Sequence, residues 1–246
     1  MSWVSIYKKV LPYIVSIQTP EGSGTGFLFT YNEGKTIAGI ATAAHVVKYA
    51  DDWKLPIKII HFETKTEIFL TDDKRVIYIS ESLDSASILL FSKDNSILPK
   101  DTLPLMDPEK FINVGVEVGW VGFPSISSSN LCFFTGPISA RLKDYNSYLI
   151  DGVAINGVSG GPVFYASKDD SRKLKPKIVG AVTAYRPNRL RGDTLPGLLQ
   201  AQDLTAFYET IKTLKSYDDA KNKKLEQERK KQEESPTSTV HEAKSK

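Results

Sequence analysis

The chain has 246 residues, 41% of them hydrophobic and 25% charged, which accommodates one domain with a sizeable core and excludes a wholly disordered or collagen-like polymer. Lys and Arg number 32 against 29 Asp and Glu, and a net charge of +3 argues against nucleic acid held by charge alone. Cys132 is the single cysteine and there are three histidines, so an intrachain disulfide is excluded, and neither a Cys/His zinc site nor a cofactor is expected.

In chain order, the first apolar run, 10–17, is interrupted by Pro12 and has no small-residue cleavage site behind it. No window approaches ~18 uninterrupted apolar residues. Neither a signal peptide nor a membrane span is expected, and the default compartment is the cytoplasm. Short β segments punctuated by Gly, Pro, Asn and Ser follow at 13–18, 26–31, 36–42, 57–62, 67–70, 75–79, 87–91, 117–122, 131–138, 147–150, 162–164 and 178–185. Strands so spaced, without long intervening helices, predict antiparallel sandwiches or barrels rather than βαβ units. Apolar Leu204, Phe207, Ile211 and Leu214 lie on one helical face and predict a helix at 203–215 with Asp203 as its N-cap. From 216 to 246 the chain is charged and polar and reads as a solvated, frayed helix, stopped at Ser235-Pro236, that passes into a flexible tail.

Four segments carry chemistry. Gly157-Val158-Ser159-Gly160-Gly161-Pro162 sets a serine between glycines on a tight turn, where two backbone N–H groups can face one pocket. The string also satisfies the nucleophile elbow of α/β hydrolases, but those enzymes place their histidine after the serine. Here the only later histidine, His241, lies in the polar tail, so that reading fails. Thr42-Ala43-Ala44-His45 places a histidine after a small-residue strand. Leu83-Asp84-Ser85-Ala86 places an aspartate at the mouth of an apolar strand. Gly22-Ser23-Gly24-Thr25-Gly26-Phe27 is a glycine-rich strand entry without the Lys-Ser/Thr of a phosphate loop.

Each segment is unspecific alone. Their ordered set resembles the trypsin-like serine peptidases of the chymotrypsin fold, closest to the HtrA/Deg protease domain, over roughly residues 8–212. Further matches are Gly119-Trp120-Val121-Gly122-Phe123-Pro124 and Ile178-Val179-Gly180-Ala181-Val182-Thr183. The resemblance implies an all-β fold of two six-stranded antiparallel β-barrels, at about 10–100 and 110–200, followed by the C-terminal helix. It implies a peptidase acting on protein or peptide substrates, with Ser159 as nucleophile, His45 as general base and Asp84 as its orienting partner. The backbone N–H groups of Gly157 and Ser159 would form the oxyanion hole.

The chain departs from its relatives in several places. Val158 stands where digestive enzymes carry an aspartate that pairs with a freed N-terminus, and no peptide-binding PDZ domain is expected after the protease. The resemblance puts Val153 at the floor of the specificity pocket, Thr183, Ala184 and Tyr185 on the strand that pairs with substrate, and Asn156 among the substrate-binding residues with them. An apolar floor predicts cleavage after small or medium aliphatic residues, since an unpaired buried Arg or Lys would cost several kcal/mol. The arginine-bearing loop 186–193, with Tyr185 and the charged tail, is the expected docking place of an activating protein partner or anionic ligand, the enzyme being latent until then. The alternative function is a non-hydrolytic interaction module of the same fold.

Overall fold

The computed structural model describes residues 3–91, 98–168, 173–190 and 193–234. Its N-terminal half is one seven-stranded antiparallel sheet. The strands are β1 (Ile14–Thr19), β2 (Gly22–Tyr31), β3 (Ile37–Ala43), β4 (Ile57–His61), β5 (Glu67–Leu70), β6 (Arg75–Ser80) and β7 (Ser85–Phe91). They lie in the order β5-β4-β1-β2-β3-β7-β6 and curl into a half-barrel. The C-terminal half is a closed six-stranded barrel. It comprises β8 (Glu117–Gly122), β9 (Cys132–Leu142), β10 (Ser147–Ile150), β11 (Pro162–Lys168), β12 (Leu174–Leu190) and β13 (Asp193–Gln202). This is the expected two-barrel architecture, with seven strands and an open pairing in the first half where six and closure were expected.

Period-2 alternation builds both cores. Along β2, Leu28 enters a cluster with Val15, Ile17, Ile40, Ile59 and Ile88 inside the first sheet. Its neighbours Phe27 and Phe29 point the other way, into the cluster that holds Trp120, Phe164 and Leu199 of the barrel. One strand thereby belongs to both cores and fixes the two halves against each other.

Three α-helices stand beside the strands among the described residues. α1 (Trp3–Val10) buries Ile6 and Val10 and lays Trp3 and Tyr7 on Phe133 of β9, with ring centroids 5.7 and 5.6 Å apart. α2 (Ala44–Asp52) follows β3 directly and buries Ala44, Val47 and Ala50. α3 (Thr205–Glu234) inserts Phe207 against Phe27 and Phe29, at 6.1 and 5.3 Å. None of the helices among the described residues is long and apolar enough to cross a membrane.

α3 does not stop near Lys215 but continues to Glu234, through the stretch read as a solvated, frayed helix. Asp218, 7% exposed, accepts hydrogen bonds from Asn32 Nδ2 at 3.0 Å and from the Glu33 N–H at 2.7 Å. One turn further on, Asn222 Nδ2 donates to the Glu33 carboxylate at 3.2 Å. Residues 235–246, the remainder of the expected tail, lie outside the described residues.

The segment expected as an arginine-bearing loop is the end of a long hairpin, in which Arg186 pairs with Leu198 and Arg189 with Thr194. Arg191 and Gly192 lie outside the described residues. Sequence patterning missed β13 because Pro196 and Gly197 read as a turn. A register shift between Arg186 and Asn188 on the partner strand takes up the irregularity.

Candidate active site

Asp84 sits on the turn entering β7 with φ +43°, a left-handed conformation that Asp tolerates better than most residues. The turn is closed by its own N–H donating to Glu81 O at 3.1 Å. This aims the carboxylate at the first turn of α2, whose N-cap, Ala43, has no side-chain oxygen to offer. Asp84 supplies the missing acceptors from a distant part of the chain. Its carbonyl accepts the Ala44 N–H at 3.1 Å, and Oδ1 accepts the His45 N–H at 3.0 Å. Oδ2 accepts the His45 Nδ1–H at 2.8 Å, so Asp84 engages Nδ1 of the ring and not Nε2. The two side chains are half-exposed, at 50% and 36%.

His45 and Ser159 line one open cleft of about 210 Å³, which Asn156 and Gly157 also border. Gly157 has φ +90° and Gly160 φ +83°, and a Cβ at either would come within 2.2 Å of a backbone oxygen, Phe123 O and Thr25 O respectively. These two positions therefore require glycine.

The turn is held from outside by its carbonyl groups. Asn156 O accepts the Ser125 N–H at 2.7 Å, and Val158 O accepts the Gly161 N–H at 2.9 Å. With both peptide units trans, the Gly157 and Ser159 N–H groups point opposite to those carbonyls. Neither N–H donates to any protein acceptor among the described residues.

Thr25, fully buried on β2, ties this turn to the other half of the molecule. Its N–H donates to Ser159 O at 2.8 Å, its Oγ1 donates to Gly157 O at 2.8 Å, and that same Oγ1 accepts the Phe123 N–H at 3.0 Å. Thr42 Oγ1 in turn donates to Thr25 O at 2.8 Å. Sequence reading gave Thr25 no role beyond its place in a glycine-rich strand. A small hydroxyl residue among glycines was the only signal, and its partners are far off in the chain.

The expected specificity residues are brought together only in part. Asn156 borders the cleft with His45 and Ser159, whereas Val153, Thr183, Ala184 and Tyr185 do not line it. Val153 is 55% exposed and so is not the floor of a closed pocket. The apolar body behind that wall is Trp120, buried and stacked on Phe134, over which Gly152 packs so closely that a Cβ would lie 2.2 Å from the indole. Thr183 is buried, with Oγ1 directed at Gln200 O (3.5 Å), and the Tyr185 hydroxyl accepts the Gly197 N–H at 2.6 Å. No group of three or more candidate metal ligands occurs among the described residues.

No protein-family model and no curated protein sequence matches the chain. Solved structures do. A serine endoprotease from Yersinia pestis superposes with a TM-score of 0.60 at 16% identity, over 87% of this chain and 66% of that one. The Rv3671c protease of M. tuberculosis, in an inactive form, superposes with a TM-score of 0.58 at 17% identity, over 85% of this chain and 92% of that one. A mutant of Rv3671c, also in an inactive form, gives 0.56 at 16% identity, over 85% and 89%. The chain therefore shares its fold with these solved proteases.

Proposed function

We propose that the chain is a serine endopeptidase working through an acyl-enzyme. The observation that carries this reading is the 2.8 Å bond between His45 and Asp84 at a cleft shared with Ser159, bordered by two N–H groups without protein acceptors. Ser159 Oγ attacks the scissile carbonyl while His45 Nε2 takes its proton, because a neutral hydroxyl is a poor nucleophile. The carbonyl oxygen gains negative charge and is met by the Gly157 and Ser159 N–H groups, each donor of this kind being worth about 3–4 kcal/mol. The C–N bond then breaks, the amine leaves with the proton from His45, and the acyl group stays on Ser159. Water repeats the sequence and releases the acid. Asp84 keeps the proton on Nδ1 and stabilises the imidazolium that forms in each half-reaction.

Cleavage after small or medium aliphatic residues belongs to the same proposal, as the sequence resemblance implies. Because the Gly157 N–H already faces away from Ser125, the peptide need not turn over before acylation, and any latency rests on access to the cleft. Labelling with a fluorophosphonate followed by intact-mass measurement tests the reading. One adduct on the unpartnered protein, absent from Ser159→Ala, is expected. A folded protein that acquires no adduct overturns it in favour of a non-hydrolytic binding module.

A further inference from the structure

Beyond His45 the cleft extends along α2, where Val46 and Tyr49 line it together with Thr19, Glu21 and Ser23 of the β1–β2 turn, and Val153 does not. Tyr49 is 45% exposed and braced by Trp53, with ring centroids 6.1 Å apart. Pro20 stiffens the two-residue turn that carries Glu21, since Thr19 pairs directly with Gly22. Among the described residues lining the recess, Glu21 is the one with a carboxylate, and none carries an amine or guanidinium. Lys48, the nearest cation in the chain on that helix, is occupied elsewhere, by Glu81 at 2.9 Å and Asp52 at 3.2 Å.

We propose that this recess receives a basic residue of the substrate immediately downstream of the scissile bond, with Tyr49 and Glu21 selecting it. The proposal rests on the peptidase reading and names part of its substrate. His45 must hand its proton to the leaving amine, so the segment that departs with that amine lies on the His45 side of the cleft. There a Lys or Arg side chain lays its aliphatic stem and cation over the Tyr49 ring and brings its head to the Glu21 carboxylate. An acidic side chain at the same place meets Glu21 with like charge.

The test is partition of the acyl-enzyme among added amines. The protein is acylated with the p-nitrophenyl ester of an N-acetylated alanine, whose only downstream group, p-nitrophenol, leaves as the acyl-enzyme forms. Argininamide, norleucinamide or glutamic acid α-amide is then supplied to compete with water. The amine attacks the ester carbonyl, its C–N bond forms as the Ser159 C–O bond breaks, and the amine's proton passes through His45 to Ser159. Argininamide should capture the acyl group about fivefold better than norleucinamide, with glutamic acid α-amide poorest. Glu21→Lys, an exposed substitution, should reverse the order of the two charged amides, and Tyr49→Ala should remove the advantage of argininamide. The p-nitrophenol burst of each variant is measured alongside, and capture of each amide is read as its ratio to hydrolysis of the same acyl-enzyme, so a change in acylation alone does not alter the order of the amides. Equal capture of all three amides, or an arginine preference that survives Glu21→Lys, overturns the proposal. Absence of any burst overturns the peptidase reading beneath it.

Discussion

Thr25 Oγ1 donates a 2.8 Å hydrogen bond to Gly157 O, joining a strand of the first sheet to the turn that carries Ser159. The bond leaves the Gly157 carbonyl no freedom to swing into the cleft, and the same hydroxyl satisfies the Phe123 N–H. Replacement by the near-isosteric Val strands both groups in a dry site, at about 1–3 kcal/mol each. Thr25→Val should therefore lower unfolding stability by about 2–6 kcal/mol, measured by urea titration, and depress acylation further in the folded fraction. Thr25→Ser should recover most of both.

Gly157 itself is intolerant of a side chain. At φ +90° with a Cβ 2.2 Å from Phe123 O, Gly157→Ala must move the peptide it follows. If the Gly157 N–H meets the developing oxyanion, kcat for an ester substrate should fall about 10²–10³-fold with KM little changed. An unaltered kcat would remove Gly157 from the oxyanion pocket.

Asp84 performs two tasks that can be separated. Asp84→Asn keeps an oxygen for the α2 N-terminus, so circular dichroism and melting should change little. By presenting an amide to Nδ1 it favours the wrong tautomer of His45, and a loss on the order of 10⁴ in kcat is expected. Asp84→Ala removes the oxygen as well and should also cost about 1 kcal/mol of stability, as lost helix caps do.

Truncation after Lys215 distinguishes a docked helix from a solvated tail. It removes Asp218 and leaves Asn32 and the Glu33 N–H without their acceptor. A loss of about 2 kcal/mol in urea denaturation is expected, and Asp218→Ala in the full chain should reproduce most of it. Unchanged stability in both would show that the second half of α3 adds nothing.

Stability should also fall in alkali. Burial pushes the Tyr148 phenol above its ordinary value of 10.0, and acts in the same direction on Tyr7, Tyr13, Tyr31 and Tyr208. A folded-state value above the unfolded one means that folding favours the protonated phenols. Their contribution is complete below about pH 10 and is lost as pH rises through the folded values. Denaturation midpoints measured from pH 8 to 12 should hold level and then drop, and Tyr148→Phe should drop less steeply. A profile that stays level to pH 12 would contradict this.

The amino-acid sequence by itself determined the strand pattern and the order His45, Asp84, Ser159, because both are local. Alternation of apolar residues marks a strand from within, and glycines announce the turn that holds a serine. β5, β8 and β10 are found with the bounds that patterning placed on them. Tertiary structure decided whatever depends on partners far apart in the chain. Asp84 caps α2 across 39 residues, Thr25 reaches Gly157 across 132, and Asn32 reaches Asp218 across 186. The hydroxyl of Thr25, the amide of Asn32 and the carboxylate of Asp218 look unremarkable in the linear chain. Only folding removes them from water, and a polar group without water must find a partner, which converts unremarkable residues into the ones that hold the cleft in shape. The same holds for β13, whose proline and glycine read as a turn until β12 lies beside them, and for Glu21 and Tyr49, brought together at one recess when the β1–β2 turn folds over α2.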